Sequence, residues 1–221
     1  MGRCLPAVRV SAAHIENFIT SRLVLTPLDF YPGISLYRAT PQSGLTAFLT
    51  ANGFEDETPY WAYAWAGGAA LALYLENNPE TVRRRNVLDL GAGSGLVGIA
   101  ASRADAAKVW ASEADPLGRV ALMLNARANG ALLDLWTATG LPQADIVLAG
   151  DVFYDAGVAA FMLPLLQGLA RQGSRVLVGD PFRRDLPLAH LEQVAAYAVP
   201  DMGGGPKVEA GVFAVKPALA D

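Results

Sequence analysis

A glycine-rich turn with acidic neighbours is the first place in this sequence where chemistry is expected. The turn contains three glycines, Gly91, Gly93 and Gly95. Asp89 precedes it, and Glu113 follows the next predicted strand. Glycines let a backbone turn sharply and approach a ligand without a Cβ collision, and the helix that opens after the turn offers free N–H groups. The segment therefore predicts a binding site for a nucleotide-like cofactor.

The spacing and charge of this turn favour S-adenosylmethionine (SAM) over a dinucleotide. The glycines follow G-x-G-x-G, whereas the dinucleotide fingerprint is G-x-G-x-x-G and position 96 is Leu. Asp89 would repel a pyrophosphate, but SAM carries an ammonium and a sulfonium. Glu113 is placed to accept the protons of both ribose hydroxyls. Two alternatives stay open, namely a nicotinamide or flavin site and a purely structural turn with solvated acids.

A second candidate site is the segment Asp151-Val152-Phe153-Tyr154, which follows a predicted strand. Methyl transfer to an amine requires a neutral nitrogen aligned with the methyl group. Asp151 could hold the amine through a charge-assisted hydrogen bond, and the rings of Phe153 and Tyr154 could pack on a lysine stem. In the alternative interpretation, Asp151 caps the next helix and the aromatic residues belong to the core.

Strands and helices alternate from Pro59 onward, which indicates a doubly wound, Rossmann-like α/β sheet. In such sheets the ligand lies beyond the carboxyl ends of the strands, at the point where the strand order reverses. Asp89, Glu113, Asp151 and Asp180 all fall near predicted strand ends. Strands are predicted at 86–90, 109–112, 132–136, 145–149, 175–179 and 212–215. Helices are predicted at 67–77, 96–103, 117–129, 156–171 (interrupted by Pro164) and 188–197.

The first 56 residues form a predicted extension, and residues 57–221 form the predicted cofactor-binding domain. Ser11 is typical of a helix N-cap, and the helix is expected to run to about residue 23. A break at Pro27, Pro32 and Gly33, a short strand at 34–37 and a helix at 42–51 complete the extension. The fold is therefore expected to carry an N-terminal helical extension.

Composition excludes several other classes. The chain has 221 residues, of which 52% are hydrophobic, and a net charge of −4, so tight nucleic-acid binding is not expected. The single cysteine, Cys4, excludes an internal disulfide, and the two histidines lie too far apart in sequence to suggest a metal site. Pro59 and paired glycines interrupt the longest uncharged run, so no membrane span is expected. Without a secretory h-region, the expected location is the cytoplasm.

Six segments together resemble the seven-β-strand methyltransferases of the lysine-modifying group that carries a D-x-x-Y motif. They are PYWAYAWAGG at 59–68, GAGSG at 91–95, ASEADP at 111–116, the asparagines at 125 and 129, GDVFY at 150–154 and GDP at 179–181. Within that group the chain is most similar to bacterial relatives of the electron transfer flavoprotein β-subunit lysine methyltransferase. These relatives were often labelled nicotinamide N-methyltransferase-like or ribosomal-protein-L11-methyltransferase-like.

The resemblance implies a seven-stranded class I methyltransferase with SAM as donor and a protein lysine as acceptor, plausibly in the electron transfer flavoprotein β subunit. It implies catalytic roles at the lysine entrance for Asp151 and Tyr154. A small-molecule N-methyltransferase and a non-catalytic SAM-binding module remain alternatives. By position, SAM would be bound by Asp89, Gly91, Gly93, Gly95 and Glu113, with Trp65 lining the pocket, and substrate by Phe153 and by Asp180 in the far wall of the groove.

The sequence departs from the family pattern in three places. Ala66 stands where the family commonly has proline, and Glu113 stands where it often has aspartate. No acidic residue is apparent for the adenine amino group, for which Thr137 or backbone N–H groups could serve. Arg183 and Arg184 follow the G-D-P segment on the expected active-site side and could contact a partner.

Overall fold

The structure is a computed structural model that describes residues 10–217, so Cys4 lies outside the described residues. Six α-helices and nine β-strands are described. The helices are α1 (Ala12–Arg22), α2 (Leu45–Ala51), α3 (Ala66–Asn77), α4 (Leu96–Arg103), α5 (Pro116–Ala128) and α6 (Ala156–Arg171). The strands are β1 (Val24–Leu28), β2 (Tyr31–Arg38), β3 (Asn86–Leu90), β4 (Lys108–Ser112), β5 (Asp134–Leu135), β6 (Ile146–Gly150), β7 (Arg175–Asp180), β8 (Leu191–Pro200) and β9 (Lys207–Val215).

Seven strands form one sheet in the order β5-β4-β3-β6-β7-β9-β8. The strands from β5 to β7 pair in parallel, while β9 pairs antiparallel with both β7 and β8. The chain moves outward from β3 to β4 and then returns to place β6 on the other side of β3. The strand order therefore reverses between β3 and β6, as in other doubly wound sheets. The predicted seven-stranded Rossmann-like fold is confirmed.

The sheet is buried on both faces because successive residues of a strand point to opposite sides. Val87 of β3 packs in one core cluster with residues of α3, α4 and α5, whereas the next residue, Leu88, packs in a second cluster with α6. Short, continuous apolar strands therefore result, because neither face of the central strands meets water. Within residues 10–217, no helix is long and apolar enough to cross a membrane.

The N-terminal segment packs on the domain as a mixed layer of helices and a hairpin. Ser11 caps α1 as predicted, since its side chain accepts a hydrogen bond from the N–H of His14. The apolar residues of α1 and α2 share a third core cluster with α5 and with Trp61, which is 2% exposed. Asn125 of α5 and Asn129, its C-cap residue, also bind β2. Asn125 accepts from the N–H of Tyr37 at 2.8 Å, and Asn129 forms hydrogen bonds with the backbone of Ser35. The division at residue 56 stays a prediction.

Several sequence-based assignments differ from the structure. The helix predicted at 188–197 is wrong: a short 3-10 turn at Leu188–His190 leads into β8, which pairs with β9 along its length. The alanines favour a helix, but the partner strand and the β-branched and aromatic residues of the segment decide for a strand. The break predicted at Pro27 is instead part of β1, and α6 runs through Pro164 without interruption. Strand β5 and helix α2 are shorter than the strand predicted at 132–136 and the helix predicted at 42–51.

Candidate functional site

One pocket lies at the carboxyl ends of the central strands, where the strand order reverses. Its volume is about 430 Å³. It brings together residues that follow β3, β4 and β6, which are far apart in sequence. Of the residues predicted to bind cofactor or substrate, those lining it are Trp65, Asp89, Gly91, Gly93, Glu113, Asp151 and Tyr154.

The glycine turn forms one wall of the pocket. Gly91 and Gly95 have φ values of 72° and 81°, in the left-handed region that favours glycine, and Gly95 is the N-cap residue of α4. Asp89 lies beneath the turn with 1% of its surface exposed, and its Oδ2 accepts a hydrogen bond from the N–H of Gly98 at 2.8 Å. A Cβ on Gly98 would come within 3.0 Å of that carboxylate oxygen. The small residue in α4 therefore lets the helix approach Asp89.

Burial raises the pKa of Asp89 from 3.8 to about 7. The hydrogen bond from Gly98 opposes this rise, and the nearby charge of Glu113 adds to it. A carboxyl group at the base of a pocket with a pKa near neutrality is poised to change charge when a cationic ligand arrives.

Glu113 occupies the adjoining wall. One carboxylate oxygen accepts from the N–H of Gly93 at 2.7 Å, and the other accepts from the N–H of Asp115 at 2.8 Å. Asp115 in turn caps α5 by accepting from the N–H of Leu117. These bonds fix the Glu113 carboxylate against the glycine turn. Among the described residues, neither Asp89 nor Glu113 forms a salt bridge, so both carboxyl groups lack a cationic partner from the protein.

Asp151 lies at the other end of the pocket and binds the N-terminus of α3. It accepts from the N–H of Gly67 at 3.1 Å and from the N–H of Gly68 at 2.7 Å. The helix end can approach because Gly67 has no Cβ. A Cβ at this position would overlap the carbonyl of Gly179 and the Asp151 carboxylate itself. Free N–H groups at a helix N-terminus favour a negative charge. The predicted alternative that Asp151 caps the following helix is wrong, because Asp155 caps α6.

Asp151 also has a strained backbone, with φ at 59°. This left-handed conformation is uncommon for a residue other than glycine and is found frequently at functional sites. In this conformation the side chain contacts the start of α3. The bonds from α3 and from Arg183 hold this conformation in place.

Arg183 connects Asp151 to Asp180. Its Nη1 donates to Asp151 Oδ1 at 2.6 Å and to Asp180 Oδ2 at 3.3 Å, while its backbone N–H donates to Asp180 Oδ1 at 2.7 Å. Burial acts to lower the pKa of the guanidinium, but the two carboxylates outweigh it and raise that pKa above its usual value. Burial raises the pKa of Asp151 and of Asp180, and Arg183 acts against both rises. The three side chains form a fixed cluster of two carboxyl groups and one guanidinium.

Aromatic rings line the mouth of the pocket. The centroids of Tyr60 and Tyr154 are 5.0 Å apart, and those of Tyr60 and Trp65 are 5.6 Å apart. Trp65 Nε1 donates to the carbonyl of Tyr60 at 2.7 Å, which fixes the indole. Tyr60 and Tyr154 remain 39% and 44% exposed, so the mouth is open to a large partner. Burial and neighbouring negative charges raise the pKa of Tyr154, which keeps its phenol neutral.

The structure corrects four predicted roles. Gly95 does not line the pocket and instead occupies the N-cap position of α4. Phe153 is fully buried in the core beside α6, so its ring cannot pack on a substrate lysine in this structure. Asp180 is also fully buried and holds Arg183 rather than forming a wall of the groove. Thr137 does not line the pocket. Phe153 and Tyr154 both lie in the turn after β6, where packing places Phe153 in the core and Tyr154 on the pocket lining.

Sequence reasoning missed two parts of the site. The sequence suggested that Arg183 could contact a partner, whereas in the structure its side chain binds Asp151 and Asp180. Its position three residues after Asp180, in a turn after a strand end, was the available signal. Tyr60 and Tyr63 also line the pocket and were noted only as part of an aromatic segment.

A second cavity of about 410 Å³ lies at the opposite, amino-terminal ends of β3, β6 and β7. Its lining includes Tyr74, Arg85, Asp145 and Arg175 and none of the predicted site residues. Across residues 10–217, no cluster of three or more His, Cys, Asp or Glu side chains could hold a metal ion.

The fold and the pocket define a class I methyltransferase architecture. The chain aligns with the solved structure of a Pyrococcus horikoshii protein described as a candidate RNA methyltransferase, with a TM-score of 0.54 and 16% identity over 73% of this chain and 90% of that one. At this identity the likeness concerns the fold alone. The chain belongs to the lysine methyltransferase family, whose model matches residues 58–196.

Curated relatives agree with this family and cover most of the chain. The electron transfer flavoprotein β-subunit lysine methyltransferase of Rattus norvegicus is 39% identical over 91% of this chain and 80% of its own length. The protein of the same name from Xenopus laevis is 40% identical over 87% of this chain and 82% of its own length. The predicted family is confirmed, and the chain is a protein-lysine methyltransferase.

Proposed function

We propose that this enzyme transfers a methyl group from SAM to a lysine of the electron transfer flavoprotein β subunit. The observation that carries the proposal concerns the two ends of one pocket. Asp89 and Glu113 have no cationic partner among the described residues at one end, and Asp151 and Tyr154 lie together at an open mouth. The substrate protein is suggested by the names of the relatives that are 39–40% identical to this chain. The cytoplasm remains the predicted location.

The residues present fit SAM. Asp89 and Glu113 lack a cationic partner among the described residues, as expected for groups that meet an ammonium and ribose hydroxyls. Gly91 exposes backbone to the pocket because it carries no Cβ, and the aromatic ring of Trp65 also lines the pocket. When bound, SAM supplies a methyl group whose bond to sulfur breaks as the bond to the lysine nitrogen forms.

The acceptor end aligns the lysine. Its ammonium is attracted to the Asp151 carboxylate, which accepts a hydrogen bond from the amine. Tyr60 and Tyr154 provide ring faces on which the aliphatic stem packs. The proton of the ammonium leaves to water through the open mouth before the nitrogen lone pair is used.

Methyl transfer from labelled SAM to purified electron transfer flavoprotein tests this function directly. The expected result is label in the β subunit, mapped to lysine by mass spectrometry of its peptides, and none when the enzyme is omitted. Label only in low-mass products would instead establish a small-molecule methyltransferase. SAM binding by calorimetry without label in any fraction would establish a non-catalytic module. Label confined to a different protein would keep the lysine chemistry and replace the proposed substrate.

A further inference from the structure

Arg183 is the only cationic side chain among the described residues that line the pocket. The other charged groups on that lining, Asp89, Glu113 and Asp151, are carboxylates. A positive group in a site that must receive a cationic lysine opposes the binding of that lysine. Attraction of the substrate therefore does not explain why the pocket contains Arg183.

The contacts of Arg183 place its charge at the acceptor end. Its side chain is 23% exposed, so most of it is shielded from water, and Nη1 lies 2.6 Å from the Asp151 carboxylate. An amine that binds Asp151 from the pocket must lie within a few ångströms of this guanidinium. At such distances a like charge in a half-buried site disfavours the protonated form of the amine. The structure thus combines a carboxylate that attracts the lysine with a cation that discourages it from keeping its proton.

We propose that Arg183 is a positioning residue that fixes the Asp151 carboxylate and, through its positive charge, promotes loss of the proton from the bound lysine. The proposal rests on the proposed lysine methylation at this site. The N–H bond of the ammonium breaks, its electron pair stays on nitrogen, and the proton passes to water. Asp180 keeps the guanidinium in place, because it binds both the side chain and the backbone N–H of Arg183.

Other titratable groups surround this end of the pocket and define the background against which Arg183 acts. Asp180 is the last residue of β7. Asp201 accepts a hydrogen bond, at 3.2 Å, from the N–H of Ala66 at the start of α3. Neither aspartate is cationic, so within the described part of the chain Arg183 supplies the positive charge at the acceptor end of the pocket. The remaining groups on the lining are Tyr60, Tyr63, Tyr154, Asp89 and Glu113.

The decisive kinetic measurement is the pH dependence of kcat with saturating flavoprotein substrate. For Arg183→Gln we expect the acidic limb of the profile to move up by about one pH unit, with kcat about tenfold lower at neutral pH and recovered at alkaline pH. Arg183→Lys retains the charge and should keep the limb of the wild type, even if its kcat is lower. Arg184→Gln is the matched control, since Arg184 is 88% exposed and pairs with Asp185 at the surface.

A substrate-free measurement separates this proposal from the proposed function. In protein labelled with ¹³C at aspartate carboxyl carbons, the Asp151 signal is assigned by its loss in Asp151→Asn. Its titration should move to higher pH in Arg183→Gln and not in Arg184→Gln. An unshifted titration, or a kcat that falls equally at every pH, would overturn the proposal. Absence of methyl transfer by the wild type would contradict the proposed function, while the titration would still decide whether Arg183 sets the charge at Asp151.

Discussion

The two ends of the pocket hold their carboxylates in different ways. At the cofactor end, Asp89 and Glu113 accept hydrogen bonds from backbone N–H groups only. At the acceptor end, Asp151 accepts from backbone N–H groups and also from the Arg183 guanidinium. One end therefore presents carboxyl groups that only backbone N–H groups contact, and the other presents a carboxyl group that is paired with a cation.

This difference matches the ligands that each end would bind. A cofactor that stays cationic until the reaction is well held by two free carboxylates, because each can form a charge-assisted hydrogen bond. An acceptor amine must first be attracted as a cation and then react as a neutral base. A partly neutralised carboxylate suits both demands, since strong binding of the cation alone would stabilise the unreactive form.

The variant with the largest expected effect, Asp151→Ala, tests whether the two ends of the pocket act separately. Asp151→Ala should reduce methyl transfer at least about 100-fold, because it removes charge-assisted bonds to the amine and to Arg183. SAM affinity should change less than about threefold, since the cofactor contacts lie at the other end. Initial rates and titration calorimetry measure the two quantities.

Asp155→Ala provides the control for that variant. Asp155 caps α6 in the same loop, so its loss should cost about 1 kcal/mol of stability while transfer is retained. If Asp151→Ala weakened SAM binding as strongly as it weakened transfer, the separation of the two ends would be wrong.

Asp89→Ala should act on the cofactor end. We expect the Kd for SAM to rise about 30-fold, because one charge-assisted hydrogen bond is worth about 2 kcal/mol. Calorimetry measures the change, and Asp134→Ala is a suitable control because Asp134 is an exposed residue of β5. An unchanged Kd would show that Asp89 has only a structural role beneath the glycine turn.

The pH dependence of SAM binding should follow from the raised pKa of Asp89. With that pKa at about 7, binding that requires the carboxylate should weaken about tenfold as pH falls from about 8 to about 6. Asp89→Asn cannot titrate and should lose this dependence. A Kd that is flat with pH in the wild type would contradict the link between Asp89 ionisation and binding.

The same group should affect the stability of the ligand-free protein with a definite sign. The folded-state pKa of about 7 lies above the ordinary value of 3.8, so the folded state holds the proton more tightly than the unfolded state. The Asp89 contribution to the free energy of unfolding is therefore complete below about pH 3.8 and is lost as pH rises through about 7. Denaturant unfolding of the wild type and Asp89→Asn across this range measures the difference.

The smallest effect concerns the aromatic mouth. Tyr154→Phe should reduce transfer less than about threefold, because the ring that packs 5.0 Å from Tyr60 is kept. Tyr154→Ala removes the ring pair and should reduce transfer about tenfold. Comparison of KM for the flavoprotein locates the effect in substrate binding. Equal losses in the two variants would assign the role to the hydroxyl instead.

The sequence predicted much of the fold and of the cofactor end because these depend on local signals. The strand, glycine turn and helix around Gly91 are consecutive in the chain, so their spacing alone indicates the motif. The helix predicted at 188–197 was wrong because its state depends on pairing with β9, which a local pattern does not contain. Phe153 and Tyr154 are neighbouring aromatic residues, and only packing decides that Phe153 is buried and Tyr154 exposed.

By itself, then, the sequence determined the class of fold, the glycine turn with its acidic neighbours, and the presence of an aspartate and a tyrosine at a strand end. The tertiary structure decided what the aspartate binds. Gly67 and Gly68 lie 84 and 83 positions from Asp151 in sequence, and Arg183 lies 32 positions away. Close packing of a glycine-faced helix on two strands brings these groups together. Hydrogen bonds and charge interactions depend on distance in space, so the electrostatics of the acceptor end exist only in the folded chain.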